Sequence, residues 1–161
     1  MATTIIPLPR YIGSMSRGES PTALFVEEQY GNGHQKLQES YTLGQKESLG
    51  ELKRVYAECS SPGWDGYGAE PISASVDEFA TGFLLALPLG TPAPAVGAEL
   101  DGHITLEWYK SPHRTLSVSV GPNGQLHFAA LMGASTQYGS EPFYGEVPQS
   151  VLDLIYRVSA T

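Results

Sequence analysis

The chain has 161 residues, a formal net charge of -8, 41% hydrophobic residues and 16% charged residues. That length can bury a core without staples, and the composition is that of a globular chain rather than a disordered one. Nine Lys and Arg stand against seventeen Asp and Glu with no basic run, which argues against direct binding to a nucleic-acid backbone and suits docking on a basic protein surface.

The single cysteine, Cys59, rules out an intramolecular disulfide and fits a reducing compartment. The N-terminus has no basic region ahead of its apolar residues, and Pro7 and Pro9 break that run, so no signal peptide is expected. The longest apolar stretch, Phe83 to Leu89, is too short to span a bilayer and contains Pro88. A cytoplasmic protein with no membrane association is the expectation.

Residues 1–45 read as an N-terminal arm. Within it, Thr22 to Tyr30 has strand character, Gly31-Asn32-Gly33 signals a turn, and a return through Gln35 to Tyr41 would complete a hairpin. Residues 46–161 read as one α+β domain. In Lys46 to Cys59, the residues Leu49, Leu52, Val55, Tyr56 and Cys59 recur at helical spacing, which places Cys59 in the core rather than in a reactive site. Ser60-Ser61-Pro62-Gly63 then stops the helix.

Gly63-Trp64-Asp65-Gly66-Tyr67-Gly68-Ala69-Glu70-Pro71 follows, a tight turn holding two large rings and two carboxylates. Ser75 with Glu78 has the form of a capping box, opening a second helix with Val76, Phe79, Ala80, Phe83, Leu84 and Leu87 on its apolar face. Pro88 ends it, and Gly90 to Gly97 reads as an extended connector.

The clearest region is a β-meander from His103 to Met132. Ile104, Leu106 and Trp108, then Leu116, Val118 and Val120, then Leu126, Phe128, Ala130 and Met132 each alternate with polar residues. Period-two alternation with one apolar face predicts an antiparallel sheet of three or more strands, covered on one face by two or three helices. Gly121-Pro122-Asn123-Gly124 suits a three-residue hairpin loop, which sets Ser119 opposite His127 and Val118 opposite Phe128. An odd-length loop at Ser111-Pro112-His113 sets Ser117 opposite Glu107 and Thr105 opposite Ser119. Ser135 to Glu146 reads as either an edge strand or a long ordered loop. Pro148 suits a first helical turn, and Val151, Leu154, Ile155 and Val158 form the stripe of a C-terminal helix.

No phosphate-binding loop, dinucleotide fingerprint, paired CxxC, HExxH or GxSxG occurs, so no cofactor, metal or catalytic residue is assigned. Three places could carry function. In the central stretch, Trp64 and Tyr67 would anchor a partner while Asp65 and Glu70 make directed contacts; alternatively Trp64 packs and Asp65 binds loop amides. On the polar sheet face, His103, Glu107 and His127 beside serines and threonines are the raw material of acid–base chemistry, or simply a solvated surface. In the glycine- and tyrosine-rich segment, Tyr138, Phe143 and Tyr144 would form an adaptable contact surface or a flap over the core edge.

Taken together, Gly63 to Pro71, the helix after it, Leu87-Pro88 and Asp101-Gly-His-Ile-Thr-Leu-Glu-Trp108 resemble a pattern in small uncharacterised bacterial proteins, some carried by phages and mobile elements. The similarity covers roughly Leu49 to Val158. It carries no established activity and hence no catalytic residues; what it implies is a role in conflict between a host and a mobile element. The expected function is a non-enzymatic acidic module that binds a protein partner, as an inhibitor or accessory factor of a defence system. The alternative is a small enzyme or ligand-binding module using the polar sheet face.

Overall fold

The computed structural model describes residues 44–161. The hairpin expected within the N-terminal arm lies outside the described residues. Helix α1 (residues 44–59) leads into the Gly63–Pro71 turn, and α2 (Ala74–Ala86) follows. Strands β1 (Ala95–Ala98), β2 (Ile104–Ser111), β3 (Arg114–Val120), β4 (Gln125–Met132) and β5 (Ser135–Pro142) form one antiparallel sheet, with α3 (Gln149–Ser159) after it. Sheet order equals chain order. The fold is α+β, as the alternation predicts, and among the described residues no helix is long and apolar enough to cross a membrane.

One sheet face is dry. Ile104, Leu106, Leu116, Val118, Val120 and Leu126 are fully buried under the helices, with α2 packing on β2 and β3, and α3 on β2, β3 and β4. Each such aliphatic side chain contributes about 1.5–3 kcal/mol on leaving water, so this face and the helix side chains packed on it carry the core together. Helix α1 adds Leu52, Val55 and Cys59 to the same core. Burial, and secondarily the Glu58 carboxylate, raise the Cys59 pKa, which keeps the thiol protonated.

Strand registers agree with those deduced from turn chemistry: Thr105 pairs with Ser119, Glu107 with Ser117, Val118 with Phe128 and Ser119 with His127. The Gly121–Gln125 loop closes through Gly121 N–H to Gln125 O at 3.0 Å, with Gly124 at φ 73°. The β2–β3 connection is built differently from the expected odd loop. Ser111 pairs with Arg114, leaving a two-residue turn at Pro112 and His113, and a bulge between Tyr109 and Ser111 supplies the odd residue. The register is therefore as expected although the turn is not.

Two boundaries differ from the sequence reading. Gly90 to Gly97 is not wholly a connector, since Ala95–Ala98 pairs with β2 as an edge strand. The segment before it is pinned by Trp108 Nε1–H to Pro92 O at 2.7 Å and by the Ser48 hydroxyl to Pro94 O at 3.0 Å. At the outer rim of β1, a Glu51 carboxylate oxygen from α1 accepts the Val96 N–H at 3.4 Å. The α2 cap is Ser73, not Ser75: the Ser73 hydroxyl accepts the Val76 N–H at 3.4 Å, and Ser75 bonds the Ser73 hydroxyl instead. The earlier start follows from buried Ile72, whose N–H is held by Cys59 O at 2.9 Å and which fixes where the chain can turn into the helix.

The segment after β4 is a strand, paired with β4 along its full length from Ser135–Met132 to Pro142–Gln125. Gly139 sits directly over the Phe128 ring, where an added Cβ would lie 2.6 Å from Phe128 Cζ. A side chain at this position would have to displace the Phe128 ring.

Candidate functional site

The Gly63–Pro71 stretch is a closed loop with its base clamped. Gly63 N–H donates to Ala69 O, and Gly66 N–H to Gly63 O, both at 2.9 Å. Inside the loop, Asp65 Oδ1 accepts the N–H groups of Tyr67 and Ala69, each at 2.9 Å. The Asx-type turn expected for Asp65 is thus present, and positive φ at Gly63, Gly66 and Gly68 (69°, 80° and 100°) lets the chain fold back within so few residues. Trp64 is half-buried against the core and donates Nε1–H to Glu70 O at 3.0 Å, so its ring braces the loop. Tyr67, three residues on, is 96% exposed.

The amides of Ala69 and then Tyr67 hold the Asp65 carboxyl below its ordinary pKa of 3.8. Because the folded pKa lies below the unfolded one, Asp65 contributes stability above the ordinary carboxylate pKa and loses it as pH falls through the folded value. Asp65→Asn keeps an accepting oxygen but removes the charge. It is expected to flatten the acid side of the stability–pH profile, measured by urea unfolding between neutral pH and the acid limb, and parallel profiles for the two proteins would reject this assignment.

A second segment packs on this loop. The β1–β2 connection forms a three-residue hairpin closed by Glu99 N–H to His103 O at 2.9 Å, and Glu70 N–H donates to Leu100 O at 2.9 Å. Gly102 at φ 80° lies against Pro71 O. Tyr67 and the 65%-exposed Leu100 are thereby presented on two segments that also carry Asp65, Glu70, Glu99 and Asp101, and neither segment contains a lysine or arginine.

His103, at the end of this hairpin, reaches onto the open sheet face. Its ring lies parallel to that of His127, with centroids 6.2 Å apart and planes 5° apart. His103 Nδ1 lies 3.2 Å from the Ser119 hydroxyl and 3.6 Å from Asp101 Oδ2, while His127 Nδ1 bonds the Ser140 hydroxyl. A Ser–His–carboxylate relay needs hydroxyl and carboxylate on opposite ring nitrogens, whereas here both fall on Nδ1. Glu107, opposite Ser117 on the same face, bonds neither histidine among the described residues. The arrangement orients the rings without activating a nucleophile.

Glu99, Asp101 and His103 bring one donor atom each within 4.8 Å of one another and are the group among the described residues that could hold a cation. Each carboxylate already has a donor from this chain: the Thr105 hydroxyl bonds Glu99, and the His103 N–H donates to Asp101. The sequence reading assigned no role to Glu99 or Asp101. Their spacing at every second residue around Gly102 was the available signal, but it becomes informative only once the β1–β2 hairpin is known.

The remaining aromatic candidates are separated. Tyr138 projects from β5 opposite Ala129 on the open face and is 82% exposed, and Tyr144 beyond the strand is 89% exposed. Phe143 is buried, stacked in a tilted pair with Phe83 at 5.7 Å, so its ring belongs to the core and offers no surface contact. No protein-family model, curated protein or solved structure matches the chain.

Proposed function

We propose that the protein is a non-enzymatic binding module whose contact surface is the Gly63–Pro71 loop with the adjoining Glu99–His103 turn, and whose partner is a protein with a basic surface around an apolar pocket. The observation that carries this reading is Tyr67, a large ring held in water on a loop whose backbone is already fixed by Asp65 and Trp64. Ordering of that loop does not have to be paid for on binding, and an exposed aromatic on a fixed backbone, with exposed Leu100 on the segment bonded to Glu70 and carboxylates on both segments, matches the anatomy of a contact hot spot. The rim carboxylates would speed encounter with a basic partner and make the complex salt-sensitive. A narrower role, as an inhibitor or accessory factor in conflict between host and mobile element, is supported by the sequence resemblance alone.

Capture of partners on the tagged full chain, with low-salt and high-salt washes, tests the reading against Tyr67→Ala. One stoichiometric protein should be retained at low salt and released at high salt. Tyr67→Ala, which removes no buried contact, should leave the melting temperature unchanged and weaken retention by roughly 30-fold or more, the scale of a hot-spot tyrosine. Equal retention by the variant would reject this surface. Loss of retention instead in a folded Glu107→Ala, His127→Ala double variant would move the site to the open sheet face.

A further inference from the structure

The two edges of the sheet are treated differently. At β1 the outward Val96 amide is occupied by Glu51. At β5 nothing comparable is present among the described residues. Helix α3 packs its backbone on β2, β3 and β4 and reaches β5 only through side chains, Ser150 to Glu141 and Arg157 to Gln137, which leave the outward backbone edge of the strand untouched. Its pairing with β4 is regular over eight residues, without a bulge to twist the edge away. It carries no lysine or arginine, and its one carboxylate, Glu141, is engaged by the Ser150 hydroxyl. Proline stands only at the last position, Pro142. Protein edges normally carry at least one such protection along their length.

The direction of the free backbone groups follows from the ladder. Gly133 N–H donates to His113 O and Phe143 N–H to Gly124 O. Odd-numbered β4 residues therefore bond β3, even-numbered ones bond β5, and the odd-numbered residues of β5 face β4. The N–H and C=O groups of Thr136, Tyr138 and Ser140 point away from the sheet, and all three residues are exposed.

We infer that β5 pairs with β5 of a second copy of this chain, antiparallel about a two-fold axis through Tyr138. The strand is its own complement in that register. Tyr138 meets the Tyr138 of the other copy, Thr136 meets Ser140, Gln137 meets Gly139, and Ser135 meets Glu141. Aromatic pairs and Thr–Ser pairs directly opposite each other are favourable cross-strand contacts. No like charges come opposite, which matters in a chain of net charge -8. Pro142 falls at the next outward position, where its missing N–H ends the pairing. The axis stands perpendicular to the sheet, so both helical layers lie on one side and both open faces join on the other. The Tyr67 surface takes no part, so this pairing stands or falls separately from the proposed partner site.

Sedimentation of the full chain over a range of concentrations tests the inference. The wild type should sediment as a dimer. Tyr138→Lys and Tyr138→Glu each set two like charges face to face on the axis and should each sediment as monomers with unchanged circular dichroism. An equal mixture of the two should recover the dimer, which a merely unfolded variant could not do. As a second variant, Thr136→Pro removes an outward N–H but no bond to β4. Losing that hydrogen bond in both copies should weaken the dimer about tenfold or more. A wild type that is monomeric at every concentration overturns the inference and leaves the edge to an extended segment of another protein. A dimer that survives both charge substitutions overturns it as well.

Discussion

Phe83→Ala is expected to destabilise the fold by about 3–5 kcal/mol, the range for truncating a fully buried phenylalanine. Phe83 is 0% exposed and packs its ring against Phe143 at 5.7 Å with a 59° tilt. Its removal strips α2 of its largest core contact and leaves the Phe143 ring facing a void. Both rings belong to the layer between helix and sheet, so the loss should appear as a lower denaturation midpoint with an unchanged slope in urea. Phe83→Leu, which keeps much of the volume, should recover more than half of the difference. A loss below about 1 kcal/mol for the alanine variant would mean that the surrounding helices close the cavity.

The second large effect is expected at a position with no side chain. Gly102 has φ 80°, and a Cβ placed there would lie 2.9 Å from the Pro71 carbonyl oxygen, a backbone atom that cannot swing aside. Gly102→Ala therefore combines left-handed backbone strain with overpacking, for an expected cost of about 2–4 kcal/mol. Gly97 provides the internal comparison. Nothing lies within 4 Å of a Cβ there and its φ is not in the positive range, so Gly97→Ala should change stability by less than about 1 kcal/mol. The contrast is measured by thermal or urea unfolding of the three proteins side by side. Similar stabilities for the two variants would show that the Glu99–His103 turn can move off the Gly63–Pro71 loop without cost. In the proposed function Gly102→Ala should also weaken partner capture, because the segments that carry Tyr67 and Leu100 pack on each other at this contact.

Much of the sheet was legible in the sequence because two independent signals met. Apolar alternation in Ile104–Trp108, Leu116–Val120 and Leu126–Ala130 demanded one face, and the turn at Gly121–Gly124 allowed one register that satisfied it. Asp65 was legible for a similar reason: a short carboxylate among glycines has nearby amides to bind whatever the tertiary fold. The illegible parts depend on distant partners. Ala95–Ala98 buries only Val96 fully and has too little alternation to signal a strand, and its existence depends on the edge of β2. Ser73 and Ser75 are equally good caps locally, and Ile72 in the core chooses between them. Phe143 and Tyr144 sit side by side in a segment of contact-loop composition, yet one is buried and the other exposed. The Gly124 carbonyl, which takes the Phe143 N–H at 2.8 Å, decides which ring points inward. On the open face the rows of Glu107 and His127 follow from the register, whereas Asp101 comes beside His103 through the β1–β2 hairpin, which no local signal shows.

The carboxylate seated on the Val96 amide has a further effect on how copies of this chain can accumulate. A sheet extendable at both rims grows into a filament, since every added copy offers a fresh rim. Here the chain's own helix occupies the outward Val96 amide of one rim, and in the inferred dimer the other is consumed when two copies meet. Extension ends after a single step, so concentrating the protein fills a finite species and gives no template for fibres.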